Sequence, residues 1–210
     1  PLFATLPFDP PADFRPTALV GLIPMLMMVN NDVPARDLRG LIALFRDNPG
    51  RFDYGSSGQG GAVHLATELF LHQAGNLRVN HIPYRGSAPA MPDLLSGRLA
   101  MILNVASDGI APTQRGTTRG FAVTGERRMT QLPEVPTFAE AGLPGFEAYT
   151  WHMVLSPAAT PPEVVARLNA AVNAAVGEER MRRRLEDLAM QSRAGGGPEA
   201  AAEWLRAETA

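Results

Sequence analysis

The chain has 210 residues and a mass of 22.5 kDa, enough for one large domain or two small lobes with a buried core. It has no cysteine and all 19 of its basic residues are arginine. This excludes disulfides, thiolate metal sites, thiol nucleophiles, Schiff-base lysines and a P-loop lysine. A formal net charge of −2 gives no field to draw in nucleic acid or an anionic membrane, and 45% hydrophobic with 19% charged residues is the balance of a soluble globular protein.

Residues 1–14 are rich in Pro and Asp and read as a connecting segment. Residues 17–29 are almost continuously apolar, which suits strands buried on both faces; Pro24 interrupts them, and no run reaches the roughly 20 apolar residues of a membrane span. Over 35–47, Leu38, Leu41, Ile42 and Phe45 recur at helical spacing with Arg36, Asp37, Arg39 and Arg46 opposite, and Pro49-Gly50 stops the helix. An alternation follows: strand 51–54, helix 61–74, strand 78–83, helix 88–96, strand 99–104, a loop with some helical character, and strand 119–124. Short apolar strands alternating with helices predict an α/β lobe with a parallel or mixed sheet. From 127 to 148 the text is loop-rich, and a strand at 149–155 is followed by helices to 176, at 178–189 and at 198–207. The first residue is Pro1, so we expect a processed chain or a fragment, with any targeting segment outside it.

Two stretches carry chemistry. Tyr54-Gly55-Ser56-Ser57-Gly58-Gln59-Gly60-Gly61 lies between a predicted strand and a predicted helix. Glycines there let backbone approach a ligand, and the free N–H groups of the helix's first turn, with the serine hydroxyls, suit a carboxylate or a phosphate. It lacks the Gly-Lys-Ser/Thr of a Walker A loop. The second stretch, His81-Ile82-Pro83-Tyr84-Arg85-Gly86-Ser87-Ala88, also joins a strand to a helix. Ligands of α/β sheets bind beyond the carboxyl ends of the strands, so the two loops are expected side by side. Arg85 can pair with a carboxylate, Ser87 can cap the helix, and Tyr84 offers a ring face and a hydroxyl. The four histidines have no metal-site spacing; His64 and His72, two turns apart, read as capping or packing groups. Nothing in the sequence calls for a cofactor or a metal, and no nucleophile motif supports an enzyme.

In order along the chain stand Leu6-Pro7-Phe8-Asp9, Pro49-Gly50-Arg51-Phe52, Tyr54-Gly55-Ser56-Ser57-Gly58-Gln59-Gly60 with His64-Leu65-Ala66, and Pro83-Tyr84-Arg85-Gly86 with Ala88-Pro89-Ala90. Asp93-Leu94-Leu95-Ser96-Gly97, Ala122-Val123-Thr124, Leu132-Pro133-Glu134-Val135-Pro136-Thr137, Glu140-Ala141-Gly142-Leu143-Pro144-Gly145, Trp151 and Ser156-Pro157-Ala158 follow. This series resembles the solute-binding proteins of tripartite tricarboxylate transporters, the Bug family, over essentially the whole chain.

The resemblance implies a two-lobed α/β Venus-flytrap fold of the type II periplasmic binding proteins, with a periplasmic location. It also implies a small carboxylate ligand, a membrane permease as partner and hinge closure through crossovers near 26–30 and 120–124. It divides the chain into a remnant of the first lobe and crossover at 1–25, a complete second lobe at 26–122, and the C-terminal part of the first lobe with a helical tail at 123–210. The first lobe is then expected to lack its opening part. The ligand positions it implies are Ser57, Gly58 and Gly60 in the first loop and Pro83, Tyr84, Gly86, Ser87 and Ala88 in the second; the residue reading adds Gly61 and Arg85. Two departures stand out. Gly61 replaces a usual Ser or Thr, and Arg98-Leu99-Ala100 lacks a usual Asp. Two other readings stay open: a carboxylate receptor serving a signalling partner, and an α/β enzyme holding a phosphorylated substrate at the glycine-rich loop.

Overall fold

A computed structural model describes residues 6–209; the first five residues of the expected connecting segment lie outside the described residues. The chain forms two compact units, one from the residues up to Ile23 together with those from Trp151 onward, the other Pro24–Thr150. Strands β1 (Phe14–Val29) and β6 (Tyr149–Pro157) carry the chain from one unit to the other.

The second unit is built on a five-stranded stretch of sheet in the order β3-β2-β4-β1-β5, with β2 at Asp53–Ser56, β3 at Asn80–Pro83, β4 at Met101–Val105 and β5 at Arg119–Val123. β2 runs parallel to β3 and to β4, while the second half of β1 lies antiparallel between β4 and β5. The expected mixed sheet is thus present, and 17–29 forms part of one long strand. Met25, Leu26, Met27, Met28 and Val29 are all buried because helices cover both faces. On one face Met25, Met27 and Val29 meet Leu38, Leu41 and Phe45 of α2 (Leu38–Asp47) and Phe70 of α3 (Ala62–Gln73). Asp37 caps α2 by accepting the Gly40 N–H at 2.7 Å. Each of the three buried α2 side chains contributes about 1.5–3 kcal/mol. On the other face α5 (Ala106–Gln114) comes so close that a Cβ on Gly109 would stand 2.6 Å from Leu26.

The expected lobe boundary at residue 122 moves. Residues 123–150 belong to the second unit because Phe138 and Phe146, with ring centroids 4.5 Å apart, sink into the same core as Phe70 and Met27. The crossovers accordingly fall at Ile23/Pro24 and Thr150/Trp151 rather than in 26–30 and 120–124.

In the first unit the expected connecting segment forms one short helix, α1 (Pro10–Asp13), before β1; β6 and the short β7 (Gln191–Ser192) pair with β1, and α6 (Pro162–Gly177), α7 (Glu179–Asp187) and α8 (Pro198–Thr209) follow. Buried Asn169 of α6 donates to the carbonyls of Thr17 and Gly196 at 2.8 and 3.0 Å, and Thr17 and Ser156 share a hydroxyl bond of 2.9 Å. Among the described residues no helix is long and apolar enough to cross a membrane.

Candidate functional site

Because β2, β3 and β4 run the same way, the loops after them emerge on one rim of the second unit. The sheet ladder continues past the strand ends: the Tyr84 N–H donates to the Ser56 carbonyl and the Gly86 N–H to the Ser57 carbonyl, both at 3.0 Å. The two sequence-predicted loops therefore lie directly against each other. The start of α5, which follows β4 directly, joins them, for the Ser87 hydroxyl donates to Asp108 Oδ2 in its first turn at 2.7 Å.

The first loop is held in shape largely by its own backbone. Gly58 has φ of +144° and Gly60 +67°, regions that disfavour residues with a Cβ, and the Gly61 N–H donates to the Gly58 carbonyl at 3.3 Å. Gly61 is the N-cap of α3 and offers no side-chain cap; the first helical N–H groups have no partner four residues back and remain available to an acceptor. Ser57, Gly58, Gly60 and Gly61 are half-buried and so border solvent.

Beneath this loop lie groups that motif reading did not assign to it. Three rings stack in series, Tyr54 on His81 and His81 on His64, with centroid spacings of 4.9 and 4.0 Å. His64 Nδ1 accepts the Gly60 N–H at 2.9 Å, and His81 Nε2 bonds the Ser56 hydroxyl at 2.6 Å, so the pair holds both ends of the loop. His64 is a packing and capping group as expected, with His81 of β3 as its ring partner, while His72 is exposed and bonds Asn76. Burial, then the neighbouring His64, holds the His81 imidazole below its ordinary pKa, with Glu68 acting in the opposite sense. Burial, then its 2.5 Å bond to the Glu68 carboxylate, pushes the Tyr54 phenol far up.

In the second loop several expectations change. Ser87 stands at the N-cap of the 3-10 turn Ala88–Ala90 but makes no capping bond, because its hydroxyl is turned to Asp108. The Tyr84 hydroxyl is committed to Asp93 at 2.5 Å, and burial followed by that bond raises its pKa to about 12, so its ring is the part left to meet a ligand. Arg85 is exposed, as are Pro83 and Ala88, while Gly86 takes φ of +98°. The expected helix 88–96 is that 3-10 turn followed by α4 (Met91–Leu95).

Asn104 and Asp108, which motif reading did not single out, adjoin the two loops. Asn104, at the end of β4, is 1% exposed and donates through Nδ2 to Asp108 Oδ2 at 3.0 Å; its Oδ1 has no partner in the protein. The signal available was Asp108 in the first turn after an apolar strand, blurred by Gly109 and by Pro112 inside the helix. Among the described residues no His, Asp and Glu groups gather to hold a metal. Backbone N–H groups at a helix start, small residues and a few hydroxyls can bind an oxyanion by hydrogen bonds.

Residues 1–201 match the family model described as the tripartite tricarboxylate transporter family receptor. The chain is 39% identical over 208 residues to the UPF0065 protein of the tcbD–tcbE intergenic region of a Pseudomonas species, covering 99% of this chain and 61% of that protein. It is 34% identical over 175 residues to protein BugT of Bordetella pertussis, covering 83% of this chain and 53% of BugT. The chain thus spans about half to three-fifths of the length of these relatives. Among solved structures, an R. palustris protein with adipate superposes with a TM-score of 0.90 at 33% identity, over 98% of this chain and 68% of that one. MatC from Rhodopseudomonas palustris with bound malate superposes with a TM-score of 0.87 at 26% identity, over 99% of this chain and 71% of MatC. The fold is therefore the α/β fold of the periplasmic binding proteins.

Proposed function

The chain belongs to the tripartite tricarboxylate transporter receptor family, and on that premise we propose that it captures a small organic carboxylate outside the cytoplasm and delivers it to a membrane permease of that transporter class. The observation that carries this reading is the direct bonding of the two strand-to-helix loops. Gly86 N–H to Ser57 carbonyl at 3.0 Å brings Ser57, Gly58, Gly60 and Gly61 alongside Pro83, Tyr84, Gly86, Ser87 and Ala88 at the start of α3. A carboxylate oxygen fits the first-turn N–H groups of α3, where the helix dipole is positive, with no buried cation required. Arg85, exposed on the same loop, adds long-range attraction rather than a fixed ion pair. Two solved relatives carry adipate and malate, both small dicarboxylic acids, which supports the same ligand class here. Periplasmic location follows from the same family reading.

The test is thermal unfolding of the 210-residue chain with mono-, di- and tricarboxylates, phosphate and nucleotides. A carboxylate at about 100 times its Kd adds roughly 2.7 kcal/mol and raises the Tm. A shift with phosphate or nucleotides alone would overturn the carboxylate reading in favour of a phosphorylated substrate.

A further inference from the structure

The acidic side chain in an anion-binding rim needs an account, since a carboxylate repels the ligand class just proposed. Asp108 is exposed in the first turn of α5 and takes two donors on the same oxygen, the Ser87 hydroxyl at 2.7 Å and Asn104 Nδ2 at 3.0 Å. Asn104 is fixed in turn by burial at the end of β4, with 1% of its surface exposed. The carboxylate is therefore oriented from below and from the side, and Oδ1 is left as an acceptor. Ser87 directly follows Gly86, which is bonded to Ser57, so this acceptor adjoins the two ligand loops without lying in either.

We propose that Asp108 is a specificity-determining residue: its free carboxylate oxygen accepts a hydrogen bond from a hydroxyl or ammonium substituent of the bound acid, and it excludes a further carboxylate from that corner of the site. This rests on the carboxylate-receptor reading above and narrows it to substituted acids. A positioned acceptor discriminates between ligands, because an analogue without the donor covers Oδ1 and takes its water without returning a hydrogen bond. A carboxylate placed there by the ligand would face Asp108 with like charge, which neither Ser87 nor Asn104 can neutralise. Asp108 also lies at a helix start, where an acidic residue favours the helix, but that role is indifferent to the substituent a ligand carries.

The deciding experiment is isothermal titration of the 210-residue chain with succinate, L-malate and L-aspartate, which share a four-carbon skeleton and differ in carrying hydrogen, hydroxyl or ammonium at one carbon, and with adipate. The wild type should bind malate or aspartate at least about tenfold more tightly than succinate. Asp108→Asn, which preserves shape and can still accept from Ser87, should shrink that ratio about tenfold and should improve succinate if it changes it at all. Ser87→Ala should weaken all ligands together while keeping their order. An unchanged ratio in Asp108→Asn, or a wild type that prefers succinate or adipate, overturns the role of Asp108 and leaves carboxylate capture standing. A wild type that binds none of the four overturns the role of Asp108, and carboxylate capture falls with it if the mono- and tricarboxylates of the thermal series fail too.

Discussion

His64 and His81 stack with their ring planes 13° apart, and the charge of His64 is one reason the His81 imidazole resists a proton. His64 must present a bare Nδ1 to the Gly60 N–H, which fixes its neutral tautomer with the hydrogen on Nε2. The stacked pair thus supports the glycine-rich loop from below. Around it stand Tyr54 and Ser56 of β2 and Glu68 of α3, the last drawing positive charge towards His81.

Acidification should therefore loosen the support. Burial, then His64, lowers the His81 pKa in the folded state, so between the folded value and the unfolded value of about 6.5 the unfolded chain binds more protons. This part of the stability is complete above about pH 6.5 and is lost as pH falls towards the folded-state value. His81→Gln, which can still bond Ser56 but does not titrate, should show a shallower fall in Tm between about pH 7 and 5 than the wild type. Parallel Tm–pH curves for the two proteins would refute the assignment.

Gly58→Ala should separate binding from stability. The backbone at φ of +144° is strained for any residue with a Cβ, although the nearest atom, the Tyr84 carbonyl oxygen, would be at an ordinary 3.6 Å. The cost is conformational, about 1–3 kcal/mol, and the loop can escape it by changing shape. The expected result is a Tm within a few degrees of wild type with the carboxylate-induced shift largely lost. Full retention of that shift would remove the loop from the site.

Arg119→Lys should destabilise the second unit. The guanidinium donates to the carbonyls of Ala35, Asn30 and Val33 at once and lies 5.1 Å over the Phe121 ring, tying the turn after β1 to β5. An ammonium cannot span all three acceptors, and leaving one unpaired costs about 1–3 kcal/mol. Urea unfolding should show a lower midpoint with an unchanged slope.

Gly21→Ala should act on the first unit. A Cβ there would stand 2.6 Å from the Gln191 carbonyl oxygen, a backbone atom that cannot swing aside, and 2.9 Å from Met190. The β1–β7 pairing at Gly21 and Leu22 has to open or shift, an overpacking cost of about 1–3 kcal/mol. Hydrogen exchange should quicken at Leu22 and Arg193 while Met25 to Val29 keep their protection.

Local signals made much of this legible. The spacing of Leu38, Leu41 and Phe45 marked α2, and glycine and serine between a strand and a helix marked the first loop. The His64–His81 stack was not legible, because helical spacing says nothing of a partner that lies on a neighbouring strand. Asp108 was hidden by a helix with a weak apolar stripe and an internal proline, which read as loop. The boundary was misplaced because 123–150 has no periodicity; its allegiance depends on two phenylalanines whose burial only the tertiary fold decides.

Thr124 has a consequence for the order of folding. Its N–H donates to the Met25 carbonyl at 2.9 Å, its hydroxyl oxygen accepts the Met25 N–H at 2.8 Å, and its hydroxyl donates to the Ala148 carbonyl at 2.6 Å. One side chain thus clasps the start of the second unit to its end. The first unit is made of two chain segments separated by that whole unit, and bringing them together from an open coil carries the entropy of closing a very long loop. Once the clasp forms, the distance is already short, so the continuous unit should fold first and the divided one should assemble on its ends.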